Sequence, residues 1–211
     1  MAITGNSFPD LGAITVQFSH VAYQFEARFA ARGAAIQHYQ TWSKEETRDR
    51  LPGADVLVVS GFWNNALLEV AAKLRFIQSV GAGYDQFPLD ELRRRGIRLA
   101  SARGVNSNAV SEQAMSMVLA LTRQIHTGRD NQSKHVWRGM IPDLSKREDE
   151  LGGKTMLIVG LGTIGSRLAR LAGAFGMRVL GVKRTPGVAG ESADEIHRPE
   201  NLDKLIPQAD F

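Results

Sequence analysis

The strongest chemical signal in this 211-residue chain lies in residues 154–185. Gly160-Leu161-Gly162-Thr163-Ile164-Gly165 reads G-x-G-x-x-G, set between an apolar run at 154–159 and a helix-like segment at 167–175. That strand-turn-helix context is what the dinucleotide-binding motif requires. Gly160 permits the tight turn, Gly162 lets the backbone approach a pyrophosphate, and Gly165 lets helix and strand pack closely. The amides of Thr163 and Ile164 open the helix, offering donors and the positive end of its dipole to phosphate. The alternative, a glycine turn holding no ligand, is disfavoured by that context. The run at 178–182 ends on Lys183, Arg184 and Thr185, where a site for NAD places an Asp or Glu for the ribose 2′-hydroxyl. Two cations and a hydroxyl suit a 2′-phosphate through charge-assisted hydrogen bonds. The expected cofactor is therefore NADP(H), with NAD as the alternative. A strand end carrying only solvated charges is the blander reading.

A second signal follows the apolar run at 75–80. Gly81-Ala82-Gly83 exposes successive backbone amides, which can form a nest for a carboxylate. In open parallel sheets, ligands bind beyond the carboxyl ends of strands. A plain turn explains the same residues equally well. Gly61-Phe62-Trp63 follows the neighbouring run at 55–60 and could wall the same crevice, although Trp63 could equally be a packing residue.

These residues need a scaffold, and the hydrophobic pattern supplies one. Strands are expected at 13–17, 35–39, 55–60, 75–80, 97–101, 154–159 and 178–182, with helices at 21–31, 43–50, 66–74, 89–95 and 167–175. Leu168, Leu171 and Phe175 should form the inner side of the last helix. Alternating strands and helices imply βαβ units and parallel sheets. After a polar turn at 104–108, with Asn106 and Asn108 as N-caps, a long helix should run to about residue 125. Val110, Ala114, Met117, Leu121 and Ile125 share one of its faces. Met115 and Met117 read as core or interface filler. Residues 126–150 read as a polar arm carrying Trp137. Only two complete strands are legible after residue 150. No short repeat is apparent, although both halves are α/β.

Composition narrows the function classes. Apolar residues make up 43% and charged residues 23%, ordinary for a globular protein. The net charge of +4 suits an anionic substrate or cofactor and is too small to argue for nucleic acid. Arg93-Arg94-Arg95 reads as a solvated helix end. The absence of cysteine excludes disulfides and thiolate chemistry and fits a cytoplasmic protein. The polar start, residues 1–10, lacks an apolar signal core, and no stretch is long enough to span a membrane. No metal site is expected.

Three stretches, SVGAGYDQF at 79–87, GVNSNAVSEQAMSMVLAL at 104–121 and LGGKTMLIVGLGTIGSRLARLAGAFGMRVLGVKRT at 151–185, resemble the D-2-hydroxyacid dehydrogenase family. They resemble in particular its glyoxylate/hydroxypyruvate reductase-like members. It covers residues 55–211 well and the first fifty loosely. The resemblance implies two Rossmann-like or flavodoxin-like parallel-sheet domains. Residues 1–104 would be the substrate domain, and residues 105–211 a dinucleotide-binding domain incomplete in this chain. It implies hydride transfer between NAD(P)H and a small 2-keto acid. The carboxylate-holding amides map onto Ala82 and Gly83, and the turn bordering the active site onto Val105 and Asn106. The pyrophosphate turn maps onto Gly162, Thr163, Ile164 and Gly165, and the acid of NAD users onto Lys183. The long helix and arm imply a homodimer. The family's catalytic Arg, Glu and His map beyond residue 211, so no catalytic residue is expected here and the chain reads as a fragment. None of His20, His38, His126, His135 and His197 sits in a motif with a partnering carboxylate. A dimeric, cofactor-sensing corepressor, which the family also contains, is the alternative reading.

Overall fold

Runs of Val, Ile and Leu separated by polar helical segments become parallel strands joined by crossovers, because parallel neighbours cannot be linked by a hairpin. The computed structural model describes residues 10–185 and 192–211; the polar start at 1–9 lies outside them. Contacts divide the chain into two units, Met1–Arg103 and Gly104–Phe211.

The first unit runs β1 (Thr15–Ser19), α1 (Phe25–Ala30), β2 (Gln37–Thr41), α2 (Lys44–Arg50), β3 (Val56–Val59), α3 (Leu67–Val70), β4 (Phe76–Ser79), α4 (Leu89–Arg94) and β5 (Arg98–Ser101). Its strands are parallel in the order β2-β1-β3-β4-β5, the flavodoxin-like order, which reverses direction between β1 and β3. Val16 and Phe18 pack with Phe25 and Phe29 of α1. Leu57, Val59 and Ile77 join Leu51, Leu67 and Leu92 in a second cluster. Gln17 stands in register with Leu57, and Leu57 with Ile77, yet Gln17 is fully buried. Its Nε2 donates to Ser19 Oγ (3.2 Å), Thr41 Oγ1 (3.3 Å) and the Thr47 carbonyl (3.0 Å), and Tyr39 donates to its Oε1 at 3.2 Å. An unpartnered buried amide would cost about 1–3 kcal/mol. Here the network instead ties β1 and β2 to α2.

Several boundaries differ from the sequence reading. The first strand lies two residues later than 13–17, because Leu11–Ala13 forms a 3-10 turn whose Gly12 amide is capped by Asp10. The second strand likewise occupies Gln37–Thr41 rather than 35–39. The first helix starts at Phe25 rather than 21, since His20 Nδ1 accepts the amides of Ala22 and Tyr23 and holds them in a turn. The helix expected at 66–74 is the single turn Leu67–Val70.

The second unit runs α5 (Ser107–Thr122), α6 (Ile125–Ser133), β6 (Thr155–Val159), α7 (Thr163–Ala174), β7 (Arg178–Val182), β8 (Glu195–His197) and α8 (Leu202–Leu205). Its parallel sheet has the order β6-β7-β8, so a third strand joins the two read from the sequence. Three residues with two charged or polar ends give no apolar run, which hid β8. Residues 209–211 run beside β6: the Leu157 amide donates to the Phe211 carbonyl (2.8 Å) and the Asp210 amide to the Thr155 carbonyl (2.9 Å). β6 is thus flanked by β7 and by this segment. Its carboxyl end stands where the strand order reverses, the ligand-binding position in such sheets.

The long helix stops at Thr122, because Gln124 adopts a left-handed conformation (φ 47°), and α6 then occupies the first part of the expected arm. Asn106 stands at the N-cap of α5 without a capping hydrogen bond, and Asn108 lies inside the helix. Met115 is core, whereas Met117 and Leu121 (63% exposed) face outward. On α7 the buried positions are Gly165, Ala169 and Ala172. Leu168 and Leu171 pack at their margin, and Phe175, beyond the helix end, is 44% exposed rather than inward.

Each unit contains the same local lock. In the first, the Thr15 amide donates to Asp55 Oδ2 (3.1 Å) and the Asp55 amide donates to the Thr15 carbonyl (3.0 Å). In the second, Thr155 and Asp210 make the same pair at 2.8 and 2.9 Å. Both acids end a hydrophobic-Pro-x-Ala-Asp stretch, Leu51–Asp55 and Ile206–Asp210, whose proline sits in a 3-10 turn. The sequence reading saw no short repeat, but this five-residue one positions equivalent chain segments beside β1 and β6.

Candidate functional site

Strand β6 delivers the chain to Gly160, whose φ of 107° is open to glycine at little cost. The Gly160 amide donates to the Val182 carbonyl at 2.9 Å, tying the turn to the end of β7. Leu161 turns inward and is buried with Met156, Ile158 and Ala169. Gly162 is the N-cap of α7, exposed, with open space where a Cβ would stand. A Cβ on Gly165 would lie 2.0 Å from the Gly160 carbonyl oxygen, so the helix can approach the strand only with glycine there. No side chain caps α7, which leaves its first-turn amides at Thr163 and Ile164 presented outward.

A cavity of about 440 Å³ joins this turn to the end of β7. Gly160 and Gly162 line one part of it, Lys183, Arg184 and Thr185 another, and Pro199 and Leu202 a third. The glycine turn and the basic strand end, separate in sequence, thus border one space. Arg184 and Thr185 are exposed, and no ion pair or side-chain hydrogen bond reaches Arg184 among the described residues. The Lys183 amide donates to the His197 carbonyl (2.9 Å), extending the β7–β8 pairing. Beneath, the Arg178 guanidinium beside Glu195 holds that carboxyl below its ordinary value. An open glycine and an uncapped helix start fit the pyrophosphate of a nicotinamide dinucleotide. Pro199 and Leu202 were not singled out from the sequence, because they follow the short strand that the apolar pattern did not reveal.

In the first unit, Gly81-Ala82-Gly83 follows the carboxyl end of β4 and is exposed. Ser79 Oγ donates to the carbonyls of Gly81 (3.2 Å) and Gly83 (3.5 Å), which fixes the loop from below. No acceptor takes the amides of Ala82 and Gly83 among the described residues. Trp63 packs on Phe87 with ring centroids 4.7 Å apart, and its Nε1 donates to Asn65, so it serves packing. Asn106 belongs to the second unit, in an exposed turn after Gly104 (φ 91°).

Three of the five histidines have side-chain partners. His20 caps its turn, His38 lies 3.2 Å from Glu26, and His197 lies 3.2 Å from Glu195 on β8 itself. His126 and His135 are exposed on and after α6. No cluster of three or more His, Asp or Glu side chains suited to a metal occurs among the described residues. No helix among them is long and apolar enough to cross a membrane.

Comparison with known proteins agrees with this architecture. Residues 115–211 match the family profile described as D-isomer specific 2-hydroxyacid dehydrogenase, NAD binding domain. D-3-phosphoglycerate dehydrogenase of Methanocaldococcus jannaschii is 30% identical over 174 residues, 80% of this chain and 32% of that protein. Glyoxylate reductase of Pyrococcus furiosus is 31% identical over 175 residues, 80% of this chain and 51% of that protein. The chain therefore spans between a third and a half of these relatives. Among solved structures, a D-isomer specific 2-hydroxyacid dehydrogenase family protein from Aeromonas salmonicida superposes with a TM-score of 0.77 at 28% identity, covering 94% of this chain and 62% of that one. With the glycine turn, the parallel sheets and these matches all concurring, residues 115–211 are an NAD-binding domain of the D-2-hydroxyacid dehydrogenase family, and the chain along most of its length is similar to members of that family.

Proposed function

We propose that the protein is an oxidoreductase that moves a hydride between NADPH and the keto carbon of a small 2-keto acid of the glyoxylate or hydroxypyruvate type. The observation that carries this reading is the cavity between the uncapped start of α7 and the basic end of β7. When bound, the nicotinamide cofactor supplies the hydride, and the protein supplies binding and orientation. Gly160, Gly162 and Gly165 shape the turn, and the amides of Thr163 and Ile164 receive the pyrophosphate. Lys183, Arg184 and Thr185 receive the 2′-phosphate, which selects NADPH over NADH. The amides of Ala82 and Gly83 donate to the substrate carboxylate, and Asn106 borders the reacting centre. Residues 1–104 thereby serve the substrate, and residues 105–211 the cofactor. The glyoxylate reductase relative supports the substrate class.

The protein works as a cytoplasmic homodimer. The outward face of α5 through Met117 and Leu121, with Trp137 (97% exposed) and Met140 (99% exposed) beyond it, supports a self-association surface. Changing Leu121 to Asp should convert dimer to monomer by light scattering; a wild-type monomer at micromolar concentration refutes the dimer.

Calorimetric titration of NADPH and NADH tests the function directly, followed by NADPH oxidation with glyoxylate and hydroxypyruvate. Binding of neither dinucleotide refutes the reading. Dinucleotide binding by the whole protein without turnover of any 2-keto acid would point instead to a cofactor-sensing module.

A further inference from the structure

Gly181 lies within β7, is buried, and does not line the cavity at the glycine turn. A Cβ built there would stand 2.2 Å from Leu161 Cδ1 and 2.9 Å from Leu161 Cγ, with Ala193 Cβ at 3.3 Å. The space left by the missing side chain is therefore filled by Leu161. Leu161 is the middle residue of Gly160-Leu161-Gly162 and the turn's one side chain, its neighbours on both sides being glycines. It is 3% exposed and packed into the core of the second unit. The flanking glycines permit the turn but do not hold it, since each widens the conformations available to the backbone. The turn's position is held by two attachments to β7: the Gly160 amide on the Val182 carbonyl, and Leu161 seated over Gly181.

We propose that Gly181 is a positioning residue for dinucleotide binding, acting through Leu161 to set where the amides of Gly162, Thr163 and Ile164 meet the pyrophosphate. This rests on the cofactor role proposed above. A methyl group at 181 displaces Leu161 from its seat. Interiors are packed too densely to absorb an intrusion of this size without a shift. The inner Cγ of Leu161 is struck as well as its terminal Cδ1, so rotation of the end methyl does not relieve the clash, and because Leu161 is joined directly to Gly162 the shift passes to the N-cap of α7. Amide donors misdirected by a fraction of a hydrogen-bond length lose most of their contribution, because the interaction weakens steeply with angle and distance.

The test compares wild type, Gly181→Ala, Leu161→Ala and the double variant by calorimetric titration with NADPH and with adenosine 2′-monophosphate. The second probe carries the 2′-phosphate and adenine but no pyrophosphate. Gly181→Ala should weaken NADPH roughly tenfold or more, the loss of about one charge-assisted hydrogen bond. It should leave adenosine 2′-monophosphate within about twofold. The double variant should bind NADPH more tightly than Gly181→Ala alone, because Leu161→Ala removes both atoms that the new Cβ strikes. Such recovery by a second truncation is a coupling that independent damage does not produce. Unimpaired NADPH binding by Gly181→Ala overturns the inference. So does a parallel loss of both ligands, or a double variant no better than Gly181→Ala. A wild-type protein that binds no NADPH overturns the proposed function, and this inference with it.

Discussion

Replacing Arg184 with Ala separates cofactor selection from folding. Arg184 is exposed at the end of β7 and makes no ion pair or side-chain hydrogen bond among the described residues. Its removal breaks no native contact there, so stability should change by no more than about 0.5 kcal/mol, as for surface substitutions elsewhere. A hydrogen bond to a charged group contributes about 1.5–3 kcal/mol. Solvent access at Arg184 places the effect at the lower end of that range. The NADPH dissociation constant should therefore rise about tenfold, 1.4 kcal/mol being a factor of about ten, while that for NADH stays within about twofold. Raising ionic strength from about 0.05 to about 0.5 M should erode the wild-type preference, because an exposed cation is screened over a few ångströms. Calorimetric titrations of both cofactors at both salt concentrations supply the four constants needed. Equal loss of NADPH and NADH, or a preference indifferent to salt, would refute assignment of the 2′-phosphate to Arg184.

Gly165→Ala should cost about 1–3 kcal/mol or more in urea unfolding, since its Cβ meets the backbone carbonyl oxygen of Gly160 at 2.0 Å; an unchanged midpoint would contradict the close packing of β6 and α7. Asp55→Ala should destabilise by about 1–3 kcal/mol by orphaning the Thr15 amide, and Asp55→Asn, which keeps an acceptor oxygen, should recover part of that loss. Glu195 is held below its ordinary value first by its hydrogen bond from Arg178, so its contribution is present above the usual glutamate range and is lost as pH falls through the lowered value. The stability difference between wild type and Glu195→Gln should accordingly shrink between about pH 7 and about pH 3, and a gap that holds constant or widens on acidification would exclude this ionisation as its source.

Local chemistry carried much of the site in the sequence. Glycines between an apolar run and a helical segment have few other uses, so Gly160, Gly162 and Gly165 were legible from type and spacing, as was the absence of an acid at Lys183. The parallel α/β class followed from runs such as Val56–Val59, which need burial on both faces. Boundaries were less legible where a single side chain redirected the backbone: His20 delays α1 by claiming two amides, and Gln124 breaks the helix after Thr122 without glycine or proline to announce it. The buried network around Gln17 was invisible, because a glutamine among apolar residues reads as the polar side of a strand until its partners on β2 and α2 are in place. Strand β8, with Pro199 and Leu202 behind it, depended on pairing with β7 rather than on its own three residues. Gly181 carries no signal of its own within the run at 178–182. Only the tertiary structure makes it a seat, since the atom that excludes any side chain there belongs to Leu161, twenty positions earlier in the chain. Spacing along the chain records what a residue's neighbours in sequence require; contacts across the sheet depend on which segments come to lie side by side, and packing alone decides that.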